Sequence, residues 1–151
     1  MEKVAFTGHR ELGEDFSFEK LKNEIKNTIE KGATTFLNGG AMGFDLYAGE
    51  AVLSLKEEFP FLKLIICIPC ANQDKYFSDN DKKRYAKLLK EADEKIMVSD
   101  YYFKGCMQKR DRFMVDGADA LITYCKKETG GTAYTVRYFE KKYPSRPIIF
   151  L

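Results

Sequence analysis

The residues best suited to chemistry gather in three short segments. Thr7-Gly8-His9-Arg10 sets a glycine beside the only histidine and an arginine. Gly8 allows a tight exit or close approach by a ligand, and Arg10 offers a planar fork for a phosphate or carboxylate. His9 either takes part in such a site or simply bonds backbone at a strand end. Asn38-Gly39-Gly40-Ala41-Met42-Gly43-Phe44-Asp45 is a second segment, and Lys126-Lys127-Glu128-Thr129-Gly130-Gly131-Thr132 a third. Glycines that open a helix let successive backbone N–H groups point at an anion, aided by the helix dipole. Thr132 adds a hydroxyl, and Asp45 either favours its helix N-terminus or accepts from a ligand hydroxyl. Neither loop is a dinucleotide fingerprint or a P-loop, because the G-x-G-x-x-G order and the following lysine are absent.

Those segments need elements to position them, and the rest of the chain supplies an alternation. Lys3–Thr7 reads as a strand, and a helix follows from about Ser17, with Phe18, Leu21, Ile25 and Ile29 at helical spacing. Strand Thr34–Leu37 leads through the glycine turn into a helix carrying Leu46, Val52, Leu53 and Leu55. The aliphatic run Leu62–Ile68 suits a strand covered on both faces. A helix from near Ser78, a strand Lys95–Val98 and a helix Gly105–Val115 follow. Strand Ala118–Tyr124, helix Thr132–Lys142 and strand Pro147–Leu151 close the chain. This pattern, β-α repeated about five times plus a last strand, predicts a single α/β Rossmann-like domain over residues 1–151. Its sheet is expected to be parallel, with helices on both faces and order 3-2-1-4-5, the last strand lying beyond the fifth. In such a sheet ligands bind outside the carboxyl ends of the strands, where strand order reverses, and all three segments fall at strand ends.

Met107 to Met114 adds Arg110, one turn from apolar neighbours on both sides, which either pairs with a buried carboxylate or points into the crevice. Asp111 and Arg112 read as a solvated face. Tyr76 and Tyr101 are the first candidates to stack on a base. The aromatics after the third and fourth strands can equally pack within loops or form a homo-oligomer interface.

Composition narrows the class. The chain has 151 residues, 44% hydrophobic and 32% charged, with a formal net charge of +2, an ordinary globular balance. No apolar run reaches the roughly 20 residues that span a bilayer. Met1-Glu2-Lys3 runs straight into a strand, so a cytoplasmic protein without a signal peptide or membrane partner is expected. The even mixture of acids and bases speaks against nucleic acid as a partner. Cys67-Ile68-Pro69-Cys70 reads as a buried small hydrophobe followed by a turn, and Cys106 and Cys125 stand alone, so neither a metal nor a cofactor is called for.

The quoted motifs Thr7-Gly8-His9-Arg10, Gly39-Gly40-Ala41-Met42-Gly43-Phe44-Asp45 and Gly130-Gly131-Thr132 resemble the YpsA-like family of the SLOG superfamily across nearly the whole chain. The resemblance implies a Rossmann-like fold that binds nucleotide-derived ligands as a sensor or regulatory module. The expected ligand-binding residues are Thr7, Gly8, His9, Arg10, Gly39, Gly40, Ala41, Gly43, Asp45, Arg110, Gly130, Gly131 and Thr132, and no catalytic residue is assigned. The segment Met107–Thr132 is similar to the Lonely Guy phosphoribohydrolases, whose pattern Met-x-x-Arg-Lys carries over as Met107 and Arg110. Asp111 replaces the lysine, and Thr135 stands where that family has its catalytic glutamate. N-glycosidic hydrolysis would then require Asp45 or Glu128 as substitute. Asn38 to Asp45 also resembles the Ser-Gly-x-Ala-x-Gly-Ile-Asp of DNA-processing protein A, whose family binds single-stranded DNA.

Overall fold

The computed structural model describes all residues from Met1 to Leu151. Six strands, β1 (Lys3–Gly8), β2 (Thr35–Asn38), β3 (Lys63–Ile68), β4 (Glu94–Met97), β5 (Ala120–Tyr124) and β6 (Ile148–Phe150), alternate with five helices. These are α1 (Phe18–Glu30), α2 (Phe44–Leu55), α3 (Asp79–Glu91), α4 (Cys106–Asp116) and α5 (Gly131–Lys142). Every strand pairing is parallel. No helix is long and apolar enough to cross a membrane.

Side-chain alternation divides the core. Val4 and Phe6 of β1 pack with Phe36, Leu64, Ile66 and Ile122 beneath α1, α2 and α3. Ala5, Leu37, Cys67 and Leu121 point the other way, toward Met114 and Val115 of α4 and Val136 and Phe139 of α5. Successive residues of a strand face opposite sides, so the central strands are apolar throughout and the sheet is covered twice.

The strand order is β4-β3-β2-β1-β5-β6, not the expected 3-2-1-4-5. β4 extends the sheet beyond β3 instead of crossing to the far side of β1. The reason lies in α3. Right-handed crossovers that march in one direction keep their helices on one face. Tyr85 and Leu88 of α3 join the core under α1 and α2, so β3–α3–β4 continues the march. The return crossing falls to α4, on the opposite face. The reversal therefore lies between β1 and β5, whose strands pair from Val4↔Ala120 to Gly8↔Tyr124.

Local chemistry sets the helix ends. Ser17 and Ser78 accept from the N–H groups of Lys20 and Asp81 at 3.1 Å each, capping α1 and α3. The helices that begin on the other loops, α2, α4 and α5, start instead after Gly43, Gly105 and Gly130, with no side-chain cap. All three begin at the carboxyl edge of the sheet.

Candidate functional site

A crevice of about 670 Å³ opens at that edge, over the β1–β5 reversal. Its wall comes from four segments: Thr7–Glu11 after β1, Ala41 and Asp45 after β2, Tyr102–Met107 after β4, and Lys127 with Thr129–Thr132 after β5. Thr7, Gly8, His9, Arg10, Ala41, Asp45, Arg110, Gly130, Gly131 and Thr132 thus meet as the sequence suggests. Gly39, Gly40 and Gly43 do not line it.

These three glycines serve packing. A Cβ on Gly39 would lie 2.8 Å from Asp45 Oδ2 and 2.9 Å from the Arg110 guanidinium carbon. Gly40 lies against the Tyr85 ring, and Gly43, at φ 80°, is pressed on the Arg10 backbone. The amides of this loop are also occupied. Gly40 N–H donates to Asn38 Oδ1 at 2.7 Å, Ala41 N–H to Asp45 Oδ2 at 3.2 Å, and Phe44 N–H to the His9 carbonyl at 3.1 Å. The loop amides before α2 are thus engaged by the protein's own acceptors, as is Phe44 N–H, while the Asp45 and Leu46 amides of its first turn have none.

The mouth of α5 differs. Gly130 holds φ at 99°, a conformation that favours glycine, and turns the chain into the helix. The N–H groups of Gly131, Thr132 and Ala133 have no acceptor within the protein. Unclaimed first-turn amides at the positive end of a helix dipole suit an anion. At the mouth of α4, Met107 and Gln108 likewise have unclaimed amides. The mouths of α5 and α4 thus both face the crevice, and the start of α2 joins them through Ala41 and Asp45.

The two arginines have different roles. Arg10 is exposed and enters none of the protein's ion pairs. Arg110 is buried at 3% exposure; its Nε donates to Asp111 Oδ1 at 2.7 Å, and its Nη1 donates to the Gly39 carbonyl, to the Cys67 carbonyl at 3.3 Å and to Gln73 Oε1 at 3.4 Å. Burial works against its charge, but Asp111 and Asp45 outweigh that and hold its pKa above the usual value. Asp111 is correspondingly no solvated residue: it binds Arg110, and its Oδ2 lies 3.4 Å from the Thr135 hydroxyl oxygen. Arg110 forms the floor of the crevice and ties the β2 loop to α4.

Asp45 is buried at 6% exposure, with Oδ1 lacking any hydrogen-bond partner. Burial raises its pKa to about 7, against the opposing pull of Arg110, and Asp111 pushes the same way as burial. Arg110 is already matched by Asp111, which is why its charge does not keep Asp45 firmly ionised. A carboxyl that titrates near neutrality with one oxygen unclaimed can receive a ligand hydroxyl or exchange a proton.

His9 takes the structural option. Its Nε2 accepts the Lys126 backbone N–H at 2.7 Å, joining the loops after β1 and β5. Partial burial, with help from Lys127, lowers its pKa, which favours the neutral ring that this bond requires. Gly8 makes room for Phe44, whose ring occupies the space a Cβ would need. Gly8→Ala is expected to cost about 1–3 kcal/mol by overpacking, read as a lowered thermal midpoint.

The aromatics that line the crevice are Tyr102 and Phe103, not Tyr76 or Tyr101. Tyr101 borders a neighbouring hollow, and Tyr76 is 83% exposed and away from the crevice. Thr135 is buried and donates to the Gly131 carbonyl at 2.9 Å, and neither it nor Glu128 lines the crevice. Cys67 is fully buried, which pushes its thiol up to about 12, in keeping with a small hydrophobe. Cys106 is not isolated: its Sγ lies 3.7 Å from Cys70 Sγ.

Comparison with known proteins adds relatives. The chain is 28% identical over 155 residues to UPF0398 protein YpsA of Bacillus subtilis, covering 94% of this chain and 86% of that one. It is 33% identical over 141 residues to the SPbeta prophage-derived protein YoqJ of the same organism, covering 82% of each. Among solved structures it resembles DNA processing protein A from Helicobacter pylori, with TM-score 0.71, 23% identity and coverage of 99% of this chain and 64% of that one. It likewise resembles DNA processing protein A from Streptococcus pneumoniae, with TM-score 0.71, 17% identity and coverage of 99% and 50%. The chain spans half to two thirds of those two proteins, and the likeness is one of fold.

The expectation that argues against nucleic acid is overturned by this finding, because the H. pylori protein is described by its single-stranded DNA binding mode. Whole-chain charge was the wrong measure. Arg10, Lys104 and Lys127 stand without carboxylate partners around one crevice, which an average over the chain conceals. The model of the YpsA family, described as the YspA SLOG family, matches residues 15–148. On that match, and on the relatives beside it, this chain belongs to the YpsA family of SLOG proteins.

Proposed function

We propose that the crevice binds a nucleotide or nucleotide-derived ligand through its phosphate, as a sensor or regulatory module. The phosphate rests on the amides of Gly131, Thr132 and Ala133, with Arg10 and Lys127 supplying positive charge. A ribose hydroxyl donates to Asp45 Oδ1, and the base lies against Tyr102 or Phe103. The observation that carries this reading is one wall holding both unclaimed amides and an orphaned, buried carboxylate oxygen. Phosphate and hydroxyl side by side are what a nucleotide offers, and a bare anion would leave Asp45 unsatisfied.

The test is calorimetric titration with AMP, ADP-ribose and ribose 5-phosphate. Binding is expected, and Arg10→Ala is expected to weaken it about 10-fold, since a charge-assisted bond to phosphate is lost. No binding at millimolar concentration, or binding unchanged in Arg10→Ala, would refute the reading.

Single-stranded DNA is the second reading, favoured by the shared fold and the unpaired cations at the crevice. It predicts an affinity for oligonucleotides that falls steeply with salt. A hydrolase reading rests on Asp45 alone, the one carboxyl here poised near neutrality. It predicts free base released from a nucleotide, and no release in Asp45→Ala.

A further inference from the structure

A second hollow of about 600 Å³ adjoins the crevice and shares Phe103, Lys104 and the Gly130–Gly131 turn with it. Its outer wall is formed by Lys109 and Arg112 of α4 and Tyr134 of α5. Three cations line it and no carboxylate does. None of the three enters an ion pair; the Arg112 guanidinium donates instead to Tyr134 Oη at 3.1 Å, and Lys109 Nζ lies 5.8 Å from the Phe103 ring centre.

Some cations on the other helices are paired, as in Arg84–Glu50 and Lys142–Asp116, whereas here three cations surround one hollow with no carboxylate among its lining residues. Aromatic rings commonly lie inside, yet Phe103 and Tyr134 are 36% and 39% exposed at the two sides of the hollow. Unmatched cations track a phosphate backbone, and exposed rings offer faces on which bases stack.

We propose that the hollow between α4 and α5 is a subsite for a second nucleotide unit, joined through phosphate to the one in the crevice. The inference rests on the crevice reading, because the shared Gly130–Gly131 turn is where the linking phosphate passes. Lys109 and Arg112 neutralise the second phosphate, and the second base stacks on Phe103 or Tyr134. A free dinucleotide and a nucleic-acid strand present the same chemistry at this point.

The experiment compares thymidine 5′-monophosphate, the dinucleotide pTpT and a ten-residue oligothymidylate on the wild-type protein and on Lys109→Ala/Arg112→Ala. Wild type is expected to bind pTpT about 10-fold more tightly than the monophosphate, the gain of one stacked, charge-matched unit. The double variant is expected to keep monophosphate affinity and lose that gain. A plateau at pTpT identifies a dinucleotide ligand, and a further rise with the longer oligomer identifies a strand; both carry the proposal. Monophosphate binding with no gain for pTpT, or a gain that survives in the double variant, overturns it while leaving the crevice reading intact. Absence of monophosphate binding would overturn the crevice reading, and this inference with it.

Discussion

Arg110→Ala is expected to lose about 3–5 kcal/mol of folding stability, the cost of breaking a buried pair. In a domain of this size that lowers the thermal midpoint by about 10 °C. The guanidinium is 3% exposed and binds Asp111, Gln73 and the carbonyls of Gly39 and Cys67. Its removal leaves buried acceptors unpaired and two carboxyls, Asp45 and Asp111, without their cation. Asp111→Asn in the same background should recover part of the loss, because one uncompensated charge is then gone. Arg10→Ala, at an exposed position, should leave the folding stability within about 0.5 kcal/mol of wild type. The arginines are thereby separated by measurement: one holds the floor of the crevice, and the other contributes little to the fold. Equal midpoints for the two alanine variants, by calorimetry or circular dichroism, would contradict the assignment.

Asp45→Asn is expected to raise stability, and by more as pH rises. Burial lifts the folded-state pKa of Asp45 to about 7 from the ordinary aspartate value of 3.8. Below both values the carboxyl is protonated in folded and unfolded chains alike, so the stability favouring the protonated site is fully present. As pH rises from about 4 to about 7 the unfolded chain ionises first, and that stability is lost through the window. Each unit corresponds to about 1.4 kcal/mol. Asparagine carries no charge and can still accept the Ala41 N–H. The gap between variant and wild type should therefore widen between pH 5 and pH 7 and level off above that. Denaturant midpoints across pH would show it, and a gap independent of pH would contradict the burial argument. Ligand binding adds a second consequence. A ligand hydroxyl that donates to ionised Asp45 favours proton release, so affinity should increase as pH passes through about 7.

How much was legible beforehand differs by feature. The alternation of elements was, because apolar spacing changes period between Lys3–Thr7 and the helix that carries Leu21, Ile25 and Ile29. Strand order was not. Periodicity reports which face a residue occupies, whereas the position of β4 depends on which face receives Tyr85 and Leu88. Thr7–Arg10 and Gly130–Thr132 were legible as crevice loops because strand ends converge in any parallel sheet. Gly39, Gly40 and Gly43 misled, since a glycine that admits a ligand and one that admits Tyr85 or Arg110 look identical in sequence. The spacing around Arg110 fits both a buried pair and a crevice residue, and only the fold, by placing Asp111, Gln73 and the Gly39 carbonyl around it, decides between them. Cys70 and Cys106, far apart in the chain, become neighbours only through the crossing of α4. The unpaired cations of the α4–α5 face were hidden by acids placed elsewhere.

In the proposed complex, phosphate sits on the first amides of α5. The most direct measurement is a titration of ¹⁵N-labelled protein with AMP, with adenosine as control, following the backbone amide signals of Gly131, Thr132 and Ala133. Those signals are predicted to move in a saturable way with AMP and to stay in place with adenosine. If AMP binds while these amides remain still, or if adenosine moves them equally, the phosphate lies elsewhere and α5 does not hold it.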